Sequence, residues 1–316
     1  MITKHTLLGS ALGLALLLGS TDLGPATAVA AEPPAIAAFA SAEDPPAFDD
    51  PAQAVAEFKA RLAADDFDGF AKLLGLDAGK LRTSAGVMEV YSQIRQGAAK
   101  QVIVRQSDDR QILNLGSELW PLPFPLRKYD DGKWAFDTYA GFEEIINRRI
   151  GENEIEAIAT ARAYVEAQRD YASDDRDGDG VIEFAQKLIS TEGTTDGLYW
   201  PIEQGDGDSP AGSFVDQGAL EKSKAGQGYF GYRYRILTGQ GDNVAGGKYS
   251  YLVNDNLIAG FGLVAWPVKY AETGVNSFVV NNAGIVYEKD LGDETEKLAA
   301  EITEFSPDDS WAIAKD

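Results

Sequence analysis

The segment DRDGDGVIEFAQ carries acidic side chains at the spacing of a calcium-binding loop. Asp175, Asp177 and Asp179 stand at positions 1, 3 and 5 of an EF-hand-like loop. Gly180 stands at position 6, where the sharp turn needs glycine. Alternate carboxylates on a tight turn converge, and ligation by oxygen alone favours Ca²⁺ over transition metals. The pattern predicts a Ca²⁺ site, with a solvated acidic turn as the alternative.

The last ligand position of this loop departs from the usual pattern. Gln186 stands where a bidentate glutamate is expected, and an amide supplies only one oxygen. Glu183, at position 9, is placed to contribute directly or through water. We therefore expect weak binding by the metal ligands Asp175, Asp177, Asp179, Glu183 and Gln186. A structural ion fits this pattern better than a catalytic one.

Two reactive residue types are missing from the part of the chain that we expect to function. There is no cysteine, and the single histidine, His5, lies in a segment that we expect to be removed. This composition excludes disulfides, thiolate nucleophiles, Ser-His-Asp triads and histidine-metal sites. Carboxylate, lysine, tyrosine, serine and threonine side chains are left as candidate catalytic groups.

Carboxylate pairs offer an alternative function, because glycoside hydrolysis needs no histidine. The candidates are Glu143-Glu144, Glu152-Glu154 and Asp196. The chain has 50 acidic residues, so some must face each other by chance and the pattern has little specificity. We assign no catalytic residue from it.

Other motifs have a structural and a ligand-binding interpretation. Trp-Pro occurs at Trp120, Trp200 and Trp266, where exposed rings would stack on sugars and buried rings would anchor the core. Arg148-Arg149 would clamp an anion or pair with carboxylates. We favour the structural interpretation for both motifs.

The charge balance narrows the class of partner. The formal net charge is −22, from 50 acidic and 28 basic residues. Such a surface repels phosphate backbones and anionic lipid headgroups. We therefore exclude nucleic acid and expect cations, neutral sugars or a basic protein as partners.

The first residues have the features of a secretory signal peptide. Lys4 precedes the apolar run Leu7 to Leu18, and Ala28 and Ala30 form an A-x-A cleavage site. The run is too short for a stable membrane anchor. We predict a signal peptide over 1–31, no membrane anchor after its cleavage, and a periplasmic or secreted protein.

The remaining chain predicts an α+β fold in two units. A flexible Ala/Pro-rich lead is expected over 32–47, an N-terminal α+β domain over 48–140 and a C-terminal one over 141–316. Asp49 or Asp50 is a candidate helix N-cap before Pro51. The N-terminal domain is expected to have helices followed by a curved antiparallel sheet, in which Asp131-Gly132 predicts a hairpin turn.

The C-terminal domain is expected to pack a long helix on an antiparallel sheet. Helical spacing runs from about Ala140 to Ala172, and Ile155, Ile158 and Tyr164 are among the residues spaced for one buried face. We expect one helix, or two broken near Gly151. A short helix is predicted over IEFAQKLI, residues 182–189, and strands follow from about residue 229. Asn282-Ala283-Gly284 predicts a hairpin turn.

Seven segments in one consistent order resemble a family of secreted bacterial proteins, the domain of unknown function 2950 family. These segments are ELWPLPFPL (118–126), WAFDTYAGFEEIINRRIGENE (134–154), YVEAQRDYA (164–172), DGLYWP (196–201), GYRYRILTGQG (231–241), LVAWP (263–267) and VVNNAGIVYEKDLG (279–292). The resemblance covers about residues 46–312. It implies secretion and a two-part α+β chain, and it implies no activity.

A remoter similarity links residues 154–290 to the globular part of pilin-like proteins, through an alanine-rich helix followed by an antiparallel sheet. This resemblance implies kinship of fold and not filament formation. Together these observations predict an exported, non-enzymatic envelope protein that binds or assembles with an envelope protein or glycan. The alternative is a carboxylate-dependent hydrolase of envelope polysaccharide.

Overall fold

The computed structural model describes residues 35–107, 109–176, 178–204 and 207–315. They form an α+β fold of helices and antiparallel sheets, which confirms the predicted class. The chain divides into two compact units between Arg148 and Arg149. The predicted signal peptide, 1–31, lies outside the described residues.

The first unit begins with helices whose starts are set by aspartate side chains. The Asp50 carboxylate accepts a hydrogen bond from the Ala52 amide at 2.8 Å, and Pro51 follows the cap, as predicted. Asp66 and Asp77 cap the next two helices in the same way. The helices are α1 (Pro51–Ala63), α2 (Phe67–Leu73), α3 (Ala78–Arg82) and α4 (Val87–Lys100).

An antiparallel sheet completes the first unit. Its strand order is β1-β2-β4-β5, and β3 also pairs with β2. The predicted Asp131-Gly132 turn joins β4 to β5, with Gly132 at φ +82°. The strands are β1 (Val102–Ser107), β2 (Arg110–Leu115), β3 (Trp120–Pro121), β4 (Leu126–Lys128) and β5 (Trp134–Phe136).

Part of the expected flexible lead is folded. Within 32–47, residues Ala35–Phe39 form a 3₁₀ helix, and the side chains of Ile36 and Phe39 are buried. The Phe39 carbonyl accepts a hydrogen bond from the Asp77 amide at 2.8 Å. Apolar contacts and backbone pairing therefore hold a segment whose alanine and proline content had suggested a linker.

One continuous helix, α5 (Thr138–Tyr171), spans the long helical pattern. Gly151 does not break it. The buried face includes Ile158 and Tyr164, as predicted. Ile155 was expected on this face but is 64% exposed. At 100° per residue, Ile155 lies outside the stripe that Ala157, Ile158 and the following turns define.

The second unit is built around a five-stranded antiparallel sheet of order β14-β13-β12-β11-β6. The predicted turn at 282–284 joins β12 to β13. Two short hairpins, β7-β8 and β9-β10, lie outside this sheet. The elements are α6 (Gln217–Lys224), β6 (Tyr232–Leu237), β7 (Gly239–Gln240), β8 (Tyr249–Ser250), β9 (Leu252–Val253), β10 (Asn256–Leu257), β11 (Gly262–Pro267), β12 (Asn276–Asn281), β13 (Tyr287–Asp290), α7 (Thr295–Glu301) and β14 (Ala312–Ile313).

Alternation along β11 directs side chains into two apolar clusters of the second unit. Leu263 and Ala265 join the core cluster that contains the buried face of α5. Val264 and Trp266 join a second cluster with Ala299 of α7. Because successive side chains of a strand point to opposite faces, α5 and α7 pack on opposite faces of the sheet.

The predicted helix over residues 182–189 is wrong. The structure has no helix there, because the backbone groups find partners outside the segment. The Phe184 amide donates to the Leu257 carbonyl at 2.8 Å. The Ala185 amide donates to the side-chain oxygen of Gln168, and the Gln168 amide donates to the Ala185 carbonyl, both at 2.8 Å. Helical hydrogen bonds cannot form while these groups are engaged.

Candidate functional site

The start of the predicted metal loop is held by its own aspartates. Asp175 accepts hydrogen bonds from the amides of Gly178 at 2.8 Å and Gly180 at 3.0 Å. Asp179 accepts from the Val181 amide at 2.8 Å. Asp177 lies outside the described residues. The described aspartates therefore close a tight turn, as either interpretation of the loop requires.

The later predicted ligands contact the β9-β10 hairpin. Glu183 is buried and accepts a hydrogen bond from the Leu257 amide at 2.8 Å. The Gln186 side-chain amide donates to the Asp255 carbonyl at 2.7 Å. Among the described residues, no group of three or more acidic, histidine or cysteine side chains is placed to hold a metal. Since Asp177 is not described, the Ca²⁺ site stays a prediction.

The candidate hydrolase carboxylates in α5 have structural partners or face solvent. Glu144 pairs with Arg148 at 2.8 Å. Glu154 Oε1 accepts hydrogen bonds from the amides of Val275 at 2.8 Å and Asn276 at 2.9 Å, at the start of β12. The other two candidates, Glu143 and Glu152, are exposed. Glu154 therefore anchors the chain that enters β12.

Asp196 organises the loop in which it lies. Its carboxylate pairs with Lys187 and accepts hydrogen bonds from the amide and hydroxyl of Thr191 and the hydroxyl of Thr194. Burial acts to raise the pKa of Asp196, but these hydrogen bonds outweigh burial and hold the pKa well below its usual range. A general acid needs a raised pKa, so the environment of Asp196 opposes that role.

The Trp-Pro tryptophans do not form a sugar-stacking surface. Trp200 is 3% exposed and Trp266 is 9% exposed. Trp120 is half-buried, and the Arg148 guanidinium lies 5.4 Å from its ring centre. These contacts agree with the structural interpretation of the three tryptophans.

Arg148 has internal partners. Besides Trp120, Arg148 contacts Glu144 through the ion pair described above. Burial lowers the pKa of Arg149, and the negative charge of Glu272 opposes part of that shift. One guanidinium nitrogen of Arg149, Nη2, is buried and has no hydrogen-bond partner among the described residues.

A cavity in the second unit was not predicted. Its volume is about 490 Å³, and residues of α5, α6, β6, β11 and the loops between residues 188 and 229 line it. We call it the tyrosine pocket. Its tyrosines are Tyr164, Tyr199, Tyr229, Tyr232 and Tyr234. Its larger aliphatic and aromatic neighbours include Leu188, Leu198, Phe214, Leu220 and Leu263.

Regular secondary structure places the walls of this pocket. Thr160, Ala163 and Ala167 follow one another at spacings of three and four residues, so they lie on one face of α5. Tyr232 and Tyr234 alternate along β6 and therefore share the face of the sheet that α5 covers. Small side chains on the helix opposite large rings on the strand leave the space open.

The turn before β6 depends on Gly228. This residue has φ +75°, and a Cβ there would lie 2.5 Å from Val268 Cγ2 and 2.7 Å from the Tyr232 carbonyl. The Tyr229 amide donates to that same carbonyl at 2.9 Å. Only glycine fits both the backbone angle and the space, so Gly228 brings Tyr229 to the pocket.

Two tyrosine hydroxyls of the pocket bond to the sheet. Tyr164 donates to the Gly262 carbonyl at 2.9 Å. Tyr232 donates to the Asn276 carbonyl at 2.9 Å. Burial raises the pKa of both tyrosines above the ordinary range, so both hydroxyls stay neutral donors.

Two further hydroxyls bond to the start of α6. Tyr229 accepts a hydrogen bond from the Asp216 amide at 2.9 Å. Tyr199 accepts from the Gln217 side chain at 3.0 Å. These bonds tie two aromatic walls of the pocket to the cap of α6.

Tyr234 is different from the other four tyrosines. Its hydroxyl oxygen is buried and has no hydrogen-bond partner among the described residues. Burial raises its pKa, and the neighbouring Thr160 hydroxyl opposes only part of that shift. The two hydroxyls do not reach the geometry of an ordinary hydrogen bond.

The lining is almost free of charge. Arg233 is the only charged residue among the described lining residues, and its guanidinium is paired with Glu296. The same lining includes no Asp or Glu. The pocket is therefore suited to uncharged, apolar molecules.

Comparison with known families identifies the chain. Residues 46–313 match the model of a family described as "Protein of unknown function (DUF2950)". The chain belongs to the DUF2950 family. Neither curated proteins nor solved structures gave a match to this chain. The resemblance in the seven segments is thus confirmed, whereas the likeness to pilin-like domains stays a prediction.

The DUF2950 match includes both candidate sites. The acidic loop at 175–186 and the tyrosine pocket both lie within residues 46–313. No helix of the described DUF2950 residues is long and apolar enough to cross a membrane.

One sequence pattern points to the pocket. The segment YFGYRY at 229–234 contributes three of the five pocket tyrosines. The alternation of tyrosines in this segment predicts a strand. It does not predict that the helix facing this strand carries small residues at Ala163 and Ala167. Other walls come from α5 and from loop residues such as Leu188 and Leu198, which lie more than 30 residues before this segment in the DUF2950 sequence.

Proposed function

We propose that this protein is an exported, non-enzymatic envelope protein that binds an apolar small molecule in the tyrosine pocket. The observation that carries the proposal is the pocket itself. Its volume of about 490 Å³ lies within the range of about 300–1,000 Å³ found for small-molecule sites. Aromatic and aliphatic walls with few polar groups are the usual lining of such sites.

The alternative of a carboxylate-dependent hydrolase has less support. The described lining of the pocket has no carboxylate, and hydrolysis of a glycosidic bond needs two. Among the carboxylates singled out in the sequence, Glu154 and Asp196 hold backbone and hydroxyl groups. A binding function requires neither group.

Binding is tested with N-phenyl-1-naphthylamine, an uncharged fluorescent probe whose emission rises in apolar surroundings. The wild-type chain should bind the probe at one saturable site. Ala163→Trp should reduce binding at least tenfold, because an indole at this lining position on α5 fills the pocket.

Ala159→Trp is the matched control. Ala159 is an exposed residue one turn earlier on the same helix, and it is not part of the lining. The control should bind the probe like wild type. If both variants lose the saturable binding equally, or if neither loses it, the probe binds outside the pocket. Either result would remove the support for this function.

The export part of the proposal rests on the sequence of residues 1–31. Expression of the full chain in a bacterium should yield a processed form that begins near residue 31 and lies outside the cytoplasm. An unprocessed cytoplasmic product would contradict export. Replacing Ala28 and Ala30 by large residues should block processing, because the cleavage site needs small side chains.

We also propose a structural Ca²⁺ ion at the loop 175–186. The spacing of its aspartates in the sequence is the observation that supports this ion. The ion would stabilise the loop and take no part in ligand binding.

A further inference from the structure

The first strand of the first unit, β1, has one unpaired edge. It pairs with β2 only, so its other side lies at the margin of the sheet. Just before the strand, the Gly116 amide donates to the Gln101 carbonyl at 3.1 Å. Because backbone bonds alternate along an antiparallel pair, the amides and carbonyls of Val102 and Val104 point away from β2. No described residue forms a hydrogen bond with these groups.

The strand is exposed to solvent as well as unpaired. All residues from Ile103 to Ser107 are exposed. Ile103 is 43% exposed and Val104 is 41% exposed, although their side chains lie on opposite faces of the sheet. A free edge with apolar side chains is a template on which another strand can pair. The outer side of β1 is therefore accessible to a second polypeptide.

The strands of this sheet have a charge opposite to that of the whole chain. The five strands β1 to β5 contain four basic residues and no acidic one, whereas the chain has 50 acidic and 28 basic residues. Three of the four share one face of the sheet, because Arg105 pairs with Ile112, two residues from Arg110, and Arg110 lies directly opposite Arg127. We call Arg105, Arg110 and Arg127 the arginine face.

Acidic neighbours neutralise the arginine face only in part. Asp109 lies 3.5 Å from Arg110 and 4.0 Å from Arg127, and Asp137 lies 3.5 Å from Arg127. Arg105, on the edge strand itself, has no ion pair among the described residues. Like charges directly opposite each other destabilise a sheet, and opposite charges stabilise it. A carboxylate brought to this edge would therefore gain a partner in Arg105.

We infer that the outer edge of β1 binds an extended acidic segment of a partner protein, which adds to the sheet as a further strand. Backbone bonds to Val102 and Val104 hold the segment, and acidic side chains at alternate positions pair with Arg105. The net charge of −22 does not prevent this binding, because exposed charges more than about 8 Å apart are largely screened at physiological ionic strength. This surface belongs to the first unit, and the inference does not depend on the tyrosine pocket.

A labelled peptide in which glutamate and valine alternate tests the inference. Its matched partner has glutamine in place of glutamate. Fluorescence anisotropy in about 0.15 M NaCl measures the affinity of each peptide for the full chain. The glutamate peptide should bind at one site, about fivefold more tightly than the glutamine peptide. No binding of the glutamate peptide, or equal affinity for the two peptides, would overturn the inference.

Arg105→Glu should weaken binding of the glutamate peptide about tenfold, because an attraction beside the added strand becomes a repulsion. Lys59→Glu is the matched control. Lys59 is exposed on α1, and its replacement changes the net charge by the same amount. The control should bind the peptide like wild type. Equal losses in both variants would show a response to net charge alone, which contradicts binding at β1.

Hydrogen exchange of the wild-type protein gives a second readout that needs no variant. Saturating peptide should slow exchange at the amides of Val102 and Val104 about tenfold, because the added strand accepts hydrogen bonds from them. The amides of Ile103 and Arg105, which already bond to β2, should change much less. Peptide binding that leaves the Val102 and Val104 amides unchanged would rule out an added strand. If their exchange slows without peptide as the protein concentration rises, the occupant is a second copy of the chain and the inference is wrong.

Discussion

The Gln168 side chain forms two hydrogen bonds to backbone groups of the kind that a neighbouring strand would otherwise form. It is fully buried, and its amide group bonds to both the amide and the carbonyl of Ala185. Gln168→Leu would keep the volume but leave two buried backbone groups unpaired. We expect a loss of about 2–4 kcal/mol in the free energy of unfolding, measured by urea denaturation.

Gln93→Leu provides the control for this prediction. Gln93 is exposed on α4, so the same change of side chain should alter stability by less than about 0.5 kcal/mol. Equal effects of the two substitutions would show that the pairing with Ala185 contributes nothing beyond apolar burial.

The acidic loop makes a prediction about metal dependence. If Ca²⁺ binds only the folded chain, about 10⁻³ M Ca²⁺ should raise the melting temperature above its value in excess EGTA. Asp177→Ala should abolish the rise, because it removes a predicted ligand. Asp131→Ala, in the turn between β4 and β5, should keep it. A wild type that melts alike in Ca²⁺ and EGTA would identify the loop as an acidic turn.

At the scale of elements, α5 contains two glycines, one with open space around its Cα and one packed closely against an aromatic ring. A Cβ at Gly151 would meet nothing within 4 Å, whereas a Cβ at Gly141 would lie 2.1 Å from the Phe124 ring. Gly151→Ala should therefore stabilise the protein by about 0.5–1 kcal/mol through helix propensity. Gly141→Ala should destabilise it by about 1–3 kcal/mol through overpacking.

Urea denaturation of both variants measures these effects, and each variant is the control for the other. The helix and the substitution are the same, so propensity contributes equally to both. Stabilisation by both substitutions would mean that the Phe124 ring moves aside without loss. Destabilisation by Gly151→Ala would contradict a continuous helix through that residue.

Local sequence signals predicted the elements that depend on local chemistry. Asp50 before Pro51 marks the start of α1, and Asp131-Gly132 marks a hairpin, because capping and turn geometry involve neighbouring residues. The segment 182–189 was mispredicted because its partners, Gln168 and Leu257, are distant in the sequence. Its apolar spacing resembles a helix, but tertiary hydrogen bonds determine its backbone.

The candidate site was less predictable than the fold for the same reason. The aspartates of the acidic loop are adjacent in sequence, so their pattern can be recognised without a structure. The tyrosine pocket forms where Ala163 of α5 and Tyr234 of β6 line the same space. These residues are distant in the sequence, so no local pattern predicts that arrangement. Even the unpaired hydroxyl of Tyr234 becomes visible only when every neighbouring partner is known.

At the scale of the whole molecule, buried tyrosines predict sensitivity to alkali. Burial raises the pKa of Tyr251 to about 12 and shifts Tyr164, Tyr232 and Tyr234 in the same direction. An unfolded tyrosine ionises near pH 10. Because the folded pKa values are higher, their contribution to stability is complete below about pH 10 and is lost as pH rises towards them.

Urea denaturation between pH 8 and pH 11.5, with tyrosinate absorbance at 295 nm, measures this loss. The free energy of unfolding should fall steeply above pH 10, and it should fall less for Tyr232→Phe than for wild type. A folded protein in which all tyrosines ionise together near pH 10 would contradict the burial of these hydroxyls.

The position of α5 in the chain has a consequence for the order of folding. In the second unit, Tyr164 bonds to a carbonyl 98 residues later and Glu154 bonds to amides 121 and 122 residues later. A ribosome releases this helix long before it releases the strands that cover it. Closing such long loops slows folding. The apolar face of α5 therefore stays exposed to solvent until the later strands have been synthesised and pack on it. We expect the second unit to refold in the slowest phase, and nascent chains that end before β11 to be captured by holdase chaperones.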